Sequence, residues 1–421
     1  RLATISRSRA FIDWQTRRAL VDDLETQRRA IVEQIAKRDP REALDLLWRF
    51  LELANSVVER SDDRSGTVIG VFRDAVDDLG EIAKAAMIDP SALSERMYAA
   101  LLDNDYGQYD GLVPALAPAL GQEGLERLKT RMVEVANQPA KRMPEGERRI
   151  VGVGTGGVIY ADDIEERSRR SAAGLALQDI ADAQGDVDAF IAQYDEQARL
   201  SPRIAAEIAR RLLAAGRAPE ALEIVDAAAP GRRGWPDFAW EDARIEVLEA
   251  LGCTEEAQAA RWSCFERALS ADHLRAYQKR LPDFDDDVAE RRAIAHALTY
   301  PSVLEALAFL TSWPALEKAA SLTVARSAEL DGDHYEILTP AAEKLFGKHP
   351  LAATLLLRAM IDFALREARA SRYRHAARHL MECQTLASSI EDFGAFETHE
   401  AYVARLRAEH GRKTSFWNLV A

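Results

Sequence analysis

Residues 103–111 form the most unusual polar segment of the chain, DNDYGQYDG, with three carboxylates and two tyrosines. Carboxylates at this density can hold a cation, but a calcium-binding EF-hand loop needs glycine at its sixth position and glutamate at its twelfth. Counted from Asp103, those positions are Gln108 and Pro114. We therefore predict an inter-helix turn in which Asp and Asn side chains bond to the backbone, with a binding surface for a peptide or other ligand as the alternative. The residues of this candidate surface are Asp103, Asp105, Tyr106, Tyr109 and Asp110.

A cluster of basic side chains lies nearer the C-terminus, with only Glu367 opposing it. Its members are Arg366, Arg369, Arg372, Arg374 and Arg378. Basic helices with nearby aromatic residues can bind phosphate backbones, so the cluster is a candidate interaction surface for nucleic acid. Arginine outnumbers lysine 46 to 9, and the alternative is therefore a solvated face, or arginines that pair with acidic helices elsewhere.

His375, His379 and Cys383 are spaced i, i+4 and i+8, so one helix would place them in a row. The two ends of that row would lie about 12 Å apart along the helix axis, too far to share one ion through bonds of about 2 Å. Arg378 beside the histidines also disfavours a cation. We predict no metal and no cofactor here, and we interpret the segment as a partly buried amphipathic helix.

The sequence patterns that mark a nucleophile with its base do not occur in this chain. There is no G-x-S-x-G motif and no H-x-E followed by C-x-x-C. The acidic run from Asp283 to Asp287 could hold a divalent ion, but such a run more often starts a helix, whose positive end favours carboxylates. We predict no catalytic residues. The sequence leaves enzymatic activity open and favours a non-catalytic protein.

A segment rich in glycine and proline, residues 138–163, interrupts the helical pattern. Gly152, Gly154 and Gly157 have the Gly-x-Gly-x-x-Gly spacing of dinucleotide-binding proteins, but no β-α-β unit surrounds them. A phosphate-binding P-loop would need Gly-Lys-Ser/Thr, and here Gly157 is followed by Val158. We predict a connector or a small hairpin without a cofactor.

The remaining segments have the apolar spacing of helices, with steps of three and four residues. Four helix starts are indicated by an N-capping side chain followed by proline, which lacks the N–H that a first helical residue would leave unbonded. These starts are Asp39-Pro40, Asp89-Pro90, Ser201-Pro202 and Thr339-Pro340. No convincing strand alternation is present, so we predict an all-α protein.

The C-terminal half contains an internal repeat in which residues 213–221 align with residues 249–257, an offset of 36. Residues 370–376 form a looser third copy. A helix ended by glycine, a turn and a second helix resemble the tetratricopeptide unit, whose period is about 34 residues. We predict an α-solenoid of stacked helical hairpins. The expected organisation is an N-terminal helical block at 1–137, the connector at 138–163 and a tetratricopeptide-like solenoid at 164–421.

Composition and charge narrow the class of protein. A net charge of −14 in 421 residues argues against a general nucleic-acid binder. No apolar stretch is long enough to span a membrane, and three scattered cysteines are too few for a disulfide framework. The chain begins at Arg1 without a signal segment, so we expect a cytoplasmic protein trimmed from a longer product.

Six stretches carry a resemblance to a known family, and together they extend over almost the whole chain. They are 7–14, 39–63, 103–121, 156–170, 176–194 and 410–417. On these stretches the chain resembles an uncharacterised bacterial family of unknown function that is partly akin to the helical tails of SWIM zinc-finger proteins. The resemblance implies a helical-repeat fold and no established activity. The SWIM motif itself needs a close cysteine pair and a Cys-x-His, which this chain lacks.

These observations favour an interaction scaffold, because solenoids expose extended surfaces and no catalytic motif is present. The expected partner is another protein or a peptide. The alternative is a nucleic-acid-associated protein that uses the arginine-rich helical face, and no membrane partner is expected.

Overall fold

The computed structural model describes residues 5, 10–13, 15–140, 142–144, 146–154, 157–230 and 235–420. Residues 7–9 and 14, in the first stretch of the family resemblance, lie outside this set, as does Gly156. The chain divides into two compact units. The first consists of Arg1–Ile204 with Arg211–Arg217, and the second of Ala205–Arg210 with Ala218–Ala421.

The first unit is a stack of helices in which neighbours along the chain pack side by side. Its described helices are α1 (Arg17–Ala30), continued by a π-helical segment (Ile31–Ile35), α2 (Pro40–Leu51), α3 (Ala54–Glu59), α4 (Thr67–Ala86), α5 (Pro90–Leu102), α6 (Leu112–Asn137), α7 (Ala161–Gln184), α8 (Val187–Ile191) and α9 (Glu196–Arg199). Gly121 breaks the helical conformation inside α6, with φ 58° and ψ −174°. The core includes Trp48, Phe72 and Leu116, and it extends to Ile180 on α7.

A two-stranded antiparallel hairpin joins α6 to α7. Strand β1 (Ile150–Gly154) pairs with β2 (Gly157–Tyr160), and an irregularity in register separates Ile150 from Gly152. The fingerprint glycines therefore lie on an antiparallel hairpin, not between a parallel strand and a helix. The division into units falls near residues 204–218 and not at this hairpin, because α7 packs along α6 and shares its core. The organisation into a helical block at 1–137, a connector at 138–163 and a tetratricopeptide-like solenoid at 164–421 stays a prediction.

The second unit continues the pattern of packed helices. Its described helices are α11 (Ala218–Ala227), α12 (Phe238–Ala250), α13 (Thr254–Ala268), α14 (Ala271–Gln278), α15 (Asp285–Leu298), α16 (Val303–Ser312), α17 (Leu316–Ala325), α18 (Tyr335–Leu345), α19 (Pro350–Arg366), α20 (Tyr373–Ala387), α21 (His399–His410) and α22 (Thr414–Trp417). Helix α10 (Pro202–Ala214) has residues in both units. Short 3-10 turns occur at Ser327–Glu329 and Ala370–Arg372.

The all-α prediction is confirmed for the described residues, apart from the single hairpin. Within each unit, successive helices pack against one another, as the stacked hairpins of an α-solenoid require. The first two copies of the internal repeat end helices α10 and α12, and the glycine after each helix has positive φ, 75° at Gly216 and 74° at Gly252. The tetratricopeptide class itself stays a prediction. No helix in the described part of the chain is long and apolar enough to cross a membrane.

Three of the four predicted helix starts are observed, and the fourth is wrong. The Asp39 carboxylate accepts hydrogen bonds from the N–H groups of Arg41 and Glu42, and α5 and α10 begin at their prolines. Thr339-Pro340 lies inside α18. The helix starts earlier because the turn at residues 331–334 already supplies its first hydrogen bonds, including one from Leu338 N–H to the His334 carbonyl at 3.0 Å.

Two glycines on α4 provide a matched test of the packing in the first unit. A methyl group at Gly80 would lie 2.6 Å from the carbonyl oxygen of Ala115 on α6, whereas Gly70 has nothing within 4 Å. We expect Gly80→Ala to lower the free energy of unfolding by about 1–3 kcal/mol through overpacking. Gly70→Ala should raise it by up to about 1 kcal/mol, because alanine favours helix. Thermal unfolding followed by circular dichroism measures both, and equal stabilisation by the two changes would contradict the α4–α6 contact.

Candidate binding site

Helix α19 is buried along most of its length, and two charged side chains interrupt its apolar sequence. Arg358 and Asp362 stand one turn apart among neighbours such as Leu357 and Ile361. The helix packs against α17, α18 and α20. A helix that is covered on several sides has few positions where a charge can reach water, so these two side chains must find partners inside the fold.

The guanidinium of Arg358 is almost fully buried, with 5% of the residue exposed. Its Nη1 donates to the carbonyl oxygen of Glu397 at 2.8 Å, and its charge lies 4.3 Å from the ring centroid of Tyr402. Nε and Nη2 have no hydrogen-bond partner among the described residues. Buried charged groups are normally paired because their desolvation is costly, so Arg358 is the least satisfied charge in this part of the molecule.

Asp362, in contrast, has both hydrogen-bond and ion-pair partners. It accepts a hydrogen bond from the hydroxyl of the buried Tyr402 at 3.0 Å, and its other oxygen lies 3.3 Å from Nη2 of Arg405. Arg405 also pairs with Glu397 at 3.0 Å. Burial raises the pKa of Asp362, and the charge of Arg405 opposes that rise. The network thus fixes α19 to α21 and leaves Arg358 outside its ion pairs.

A cavity of about 700 Å³ adjoins these side chains, and we call it the Arg358 cavity. Its wall includes Arg358, Asp362, Arg366, Phe396, Tyr402 and Arg405. Burial raises the pKa of the nearby Cys383 thiol to about 12, so this cysteine is protonated at neutral pH and is a poor nucleophile. Burial, followed by the charge of Arg358, lowers the pKa of His399. Both groups therefore favour an uncharged state beside the guanidinium.

A second cavity, of about 590 Å³, opens between α18 and α20 and is called here the α18–α20 groove. Its floor contains Pro340, Met360 and Ala364, and one wall carries Arg372, His375 and Arg378 while the other carries Glu336 and Glu343. Arg372 pairs with Asp333 at 2.8 Å, and its charge lies 4.9 Å from the ring centroid of Tyr335. The groove therefore combines an apolar floor with walls of opposite charge.

Gly332 lines both cavities and brings its loop against α19. A Cβ at this position would lie 2.0 Å from the carbonyl oxygen of Ala359. Only glycine permits this approach, so the contact of this loop with α19 depends on the absence of a side chain at position 332.

The predicted arginine cluster is divided between these features. Arg366 lines the Arg358 cavity, whereas Arg372 and Arg378 line the α18–α20 groove. Arg369 and Arg374 are exposed on the surface nearby. Arg366 contacts Glu367 at 3.0 Å and Arg378 contacts Glu382 at 3.6 Å. The role of the cluster as an interaction surface stays a prediction.

The acidic loop 103–111 bonds extensively to itself and to its neighbours. Asn104 accepts from the N–H of Tyr109 at 2.8 Å and donates to Asp110 at 2.9 Å. Arg73 donates to Asp110 at 2.9 Å and to the Gly107 carbonyl at 3.0 Å. These contacts are those of the turn that the sequence predicts. Asp103, Asp105, Tyr106 and Asp110 are exposed, whereas Tyr109 is buried at 3% exposure. Their use as a binding surface stays a prediction.

Part of the acidic loop lines a cavity of about 680 Å³ together with α7. Tyr109 and Asp110 face Arg167, the exposed Leu175 and Asp179 across it. Burial, and then the charges of Asp182 and Asp110, raise the pKa of Asp179 to about 6, with Arg211 opposing them.

Among the described residues no group of three or more histidine, cysteine or carboxylate side chains is arranged to hold a metal. His375 is exposed, whereas His379 and Cys383 are buried. His379 contacts Glu382 at 2.9 Å. The acidic run begins α15 with Asp285, Asp286 and Asp287 in its first turn.

One serine, histidine and aspartate arrangement does occur, on α12 and α14. Ser270 Oγ lies 2.8 Å from Nδ1 of His273, and Nε2 of His273 lies 3.0 Å from Asp242. In serine hydrolases the serine faces Nε2 and the aspartate faces Nδ1, the reverse of this order. Ser270 is also the N-cap of α14, since its side chain accepts from the His273 N–H. Helix capping therefore explains the arrangement.

Five residues of this network were not predicted from the sequence: Arg358, Asp362, Glu397, Tyr402 and Arg405. A usable signal was present in residues 355–363, LLLRAMIDF, where two opposite charges four residues apart interrupt an apolar helix. Their partners Tyr402 and Arg405 lie about 40 residues away, and no local pattern joins them.

Asp179 makes the stability of the first unit depend on pH in a specific way. Because its folded pKa of about 6 lies above the ordinary value of an aspartate, 3.8, the folded state binds more protons between pH 4 and 6. Stability due to this group is therefore lost as pH rises through that range. We expect Asp179→Asn to raise the unfolding free energy by about 1 kcal/mol at pH 7.5, a value reduced for partial exposure, and to have little effect at pH 4. Thermal melts across pH measure this, with the exposed Glu134→Gln as the control. If Asp179→Asn still raises the free energy of unfolding at pH 4, the raised pKa of Asp179 is not the cause.

Comparison with known proteins gives a family and similarity to solved structures. Among solved structures, the chain is similar to a circular tandem repeat protein with novel repeat topology and enhanced subunit contact surfaces, at 15% identity over 96% of this chain and 88% of that chain. The TM-score is 0.15, so this similarity carries no argument about structure. No curated protein matches significantly. The relation to SWIM proteins stays a prediction. A model of a family of unknown function, DUF6880, matches residues 1–419, and the chain belongs to this family.

Proposed function

We propose that this protein is a non-catalytic scaffold that binds a segment of a partner protein in the α18–α20 groove. The observation that carries the proposal is the groove itself, with Met360 and Ala364 on its floor and opposite charges on its walls. An apolar floor supplies affinity, and flanking charges fix the orientation of a bound segment. The partner segment would place acidic side chains along Arg372 and Arg378 and basic ones along Glu343.

The two charged walls favour a peptide over nucleic acid. A nucleic-acid strand carries phosphates along its whole backbone, so Glu336 and Glu343 would repel it on one side of the groove. The runner-up remains a nucleic-acid-associated protein, and the exposed Arg369 and Arg374 support it. A peptide held mainly by apolar contacts should be less sensitive to salt than phosphate contacts are.

The proposal includes a cytoplasmic location. Cys253, Cys264 and Cys383 are all free thiols, as expected in a reducing compartment. The 36-residue repeat of residues 213–257 supports a tetratricopeptide-like architecture, and repeats of that class commonly present concave binding surfaces.

The test is co-purification of the tagged full-length protein from its native host, with and without nuclease, followed by quantitative mass spectrometry. We expect a protein partner that survives nuclease and is lost from the Arg372→Glu/Arg378→Glu variant, because both residues lie on the basic wall of the groove and the wall changes sign. The identified partner segment, as a synthetic peptide, should then bind with a shallow dependence on salt.

The matched control is Arg291→Glu/Lys318→Glu. Both of its residues are exposed in the same unit but lie on α15 and α17. The control therefore changes the net charge by the same amount as the groove variant and leaves the groove residues unaltered. Retention of the partner by the control and its loss from the groove variant would support the scaffold. If nuclease removes the partner and binding weakens steeply as salt rises, the scaffold proposal is wrong and the nucleic-acid alternative takes its place.

A further inference from the structure

The Arg358 guanidinium has one edge without a partner. Nε and Nη2, the two nitrogens without hydrogen bonds among the described residues, lie on the same side of the guanidinium, where their N–H groups point in parallel. This edge matches the two oxygens of a carboxylate or phosphate. Arg148 uses it in this chain, donating from Nε and Nη2 to the two oxygens of Asp162 at 2.9 and 3.0 Å.

The groups around Arg358 do not supply such a pair of oxygens, since the Cys383 thiol, which interacts with the guanidinium, offers a single sulfur. Asp362 is bonded to Tyr402 and Arg405, and Glu397 offers its carbonyl to Nη1 while its carboxylate pairs with Arg405. Tyr402 presents its ring face to the guanidinium. Both nitrogens are shielded from bulk water, so a hydrogen bond formed there would be stronger than one at the surface.

The Arg358 cavity has a charge pattern that selects among anions. Three arginines line it, but so do four carboxylates, those of Glu329, Asp331, Asp362 and Glu397. A polyanion would be repelled by these carboxylates, whereas a molecule with one carboxylate and one ammonium group would match both charges. The volume of about 700 Å³ is sufficient for a small metabolite.

We propose that the Arg358 cavity is a binding site for a small zwitterion of the amino-acid class. Its carboxylate bonds to Nε and Nη2 of Arg358, and its ammonium group faces the acidic side chains of the cavity wall. Because Nε and Nη2 have almost no surface open to water, binding requires residues 395–397, which form part of that wall, to move outward. This site is separate from the α18–α20 groove, so either proposal can fail without the other.

The experiment is isothermal titration of the full-length protein with the twenty L-amino acids, acetate and inorganic phosphate. We expect at least one amino acid to bind with a Kd below about 1 mM. Acetate should bind more weakly, and phosphate should not compete with the amino acid. Arg358→Lys keeps the charge but loses the parallel edge, and it should weaken binding at least about tenfold. The exposed Arg291→Lys on α15 is the matched control and should bind as the unchanged protein does.

A second variant covers the case in which Arg358→Lys does not fold. Ala395 is exposed and lines the cavity, so Ala395→Trp should fill the space and abolish binding without altering Arg358. If Arg358→Lys or Ala395→Trp folds and still binds the amino acid as the unchanged protein does, the proposed site is wrong. Absence of binding by every amino acid, or tight binding of phosphate instead, would overturn the ligand class.

Discussion

Burial of helix α19 on several sides is the constraint on which the arrangement of charges in the second unit depends. A helix so placed can carry a charge only where a neighbour supplies a partner. Asp362 meets this condition through Tyr402 and Arg405 on α21, and Arg358 meets it only in part. The same helix forms part of both cavities, and Gly332, packed against it, lines both. The position of α19 thus decides which arginines line a cavity and which face water.

The element types could be predicted from sequence because local rules determine them. Proline after a capping aspartate marked the starts of α2 and α5, and periodic apolar spacing marked an all-α fold. Thr339-Pro340 gave a wrong helix start because a proline is tolerated inside a helix whose first hydrogen bonds form several residues earlier in the chain. The acidic loop was predictable as a turn, since Asn104 bonds within a few residues of itself.

The candidate sites were less predictable because they depend on contacts between distant segments. The arginine cluster is continuous in sequence, but its members face different cavities and open surface once α19 and α20 are packed. Conversely, Arg358 and Tyr402 are 44 residues apart and meet only in the folded unit. The sequence contained the charged pair at positions 358 and 362, but nothing local showed that one charge would be paired and the other would not.

The β1–β2 hairpin presents a different problem, that of unpaired strand edges. Val153 is 78% exposed and Ile150 60%, and β-branched side chains on an exposed edge invite pairing with a second chain. Arg148 restrains the base of the hairpin by pairing with Asp162 and Asp163. The glycines of β1 reduce its β propensity, and the register irregularity disturbs the ladder near Gly152. The glycines that imitate a nucleotide-binding fingerprint therefore lower the tendency of this exposed edge to pair with a second strand.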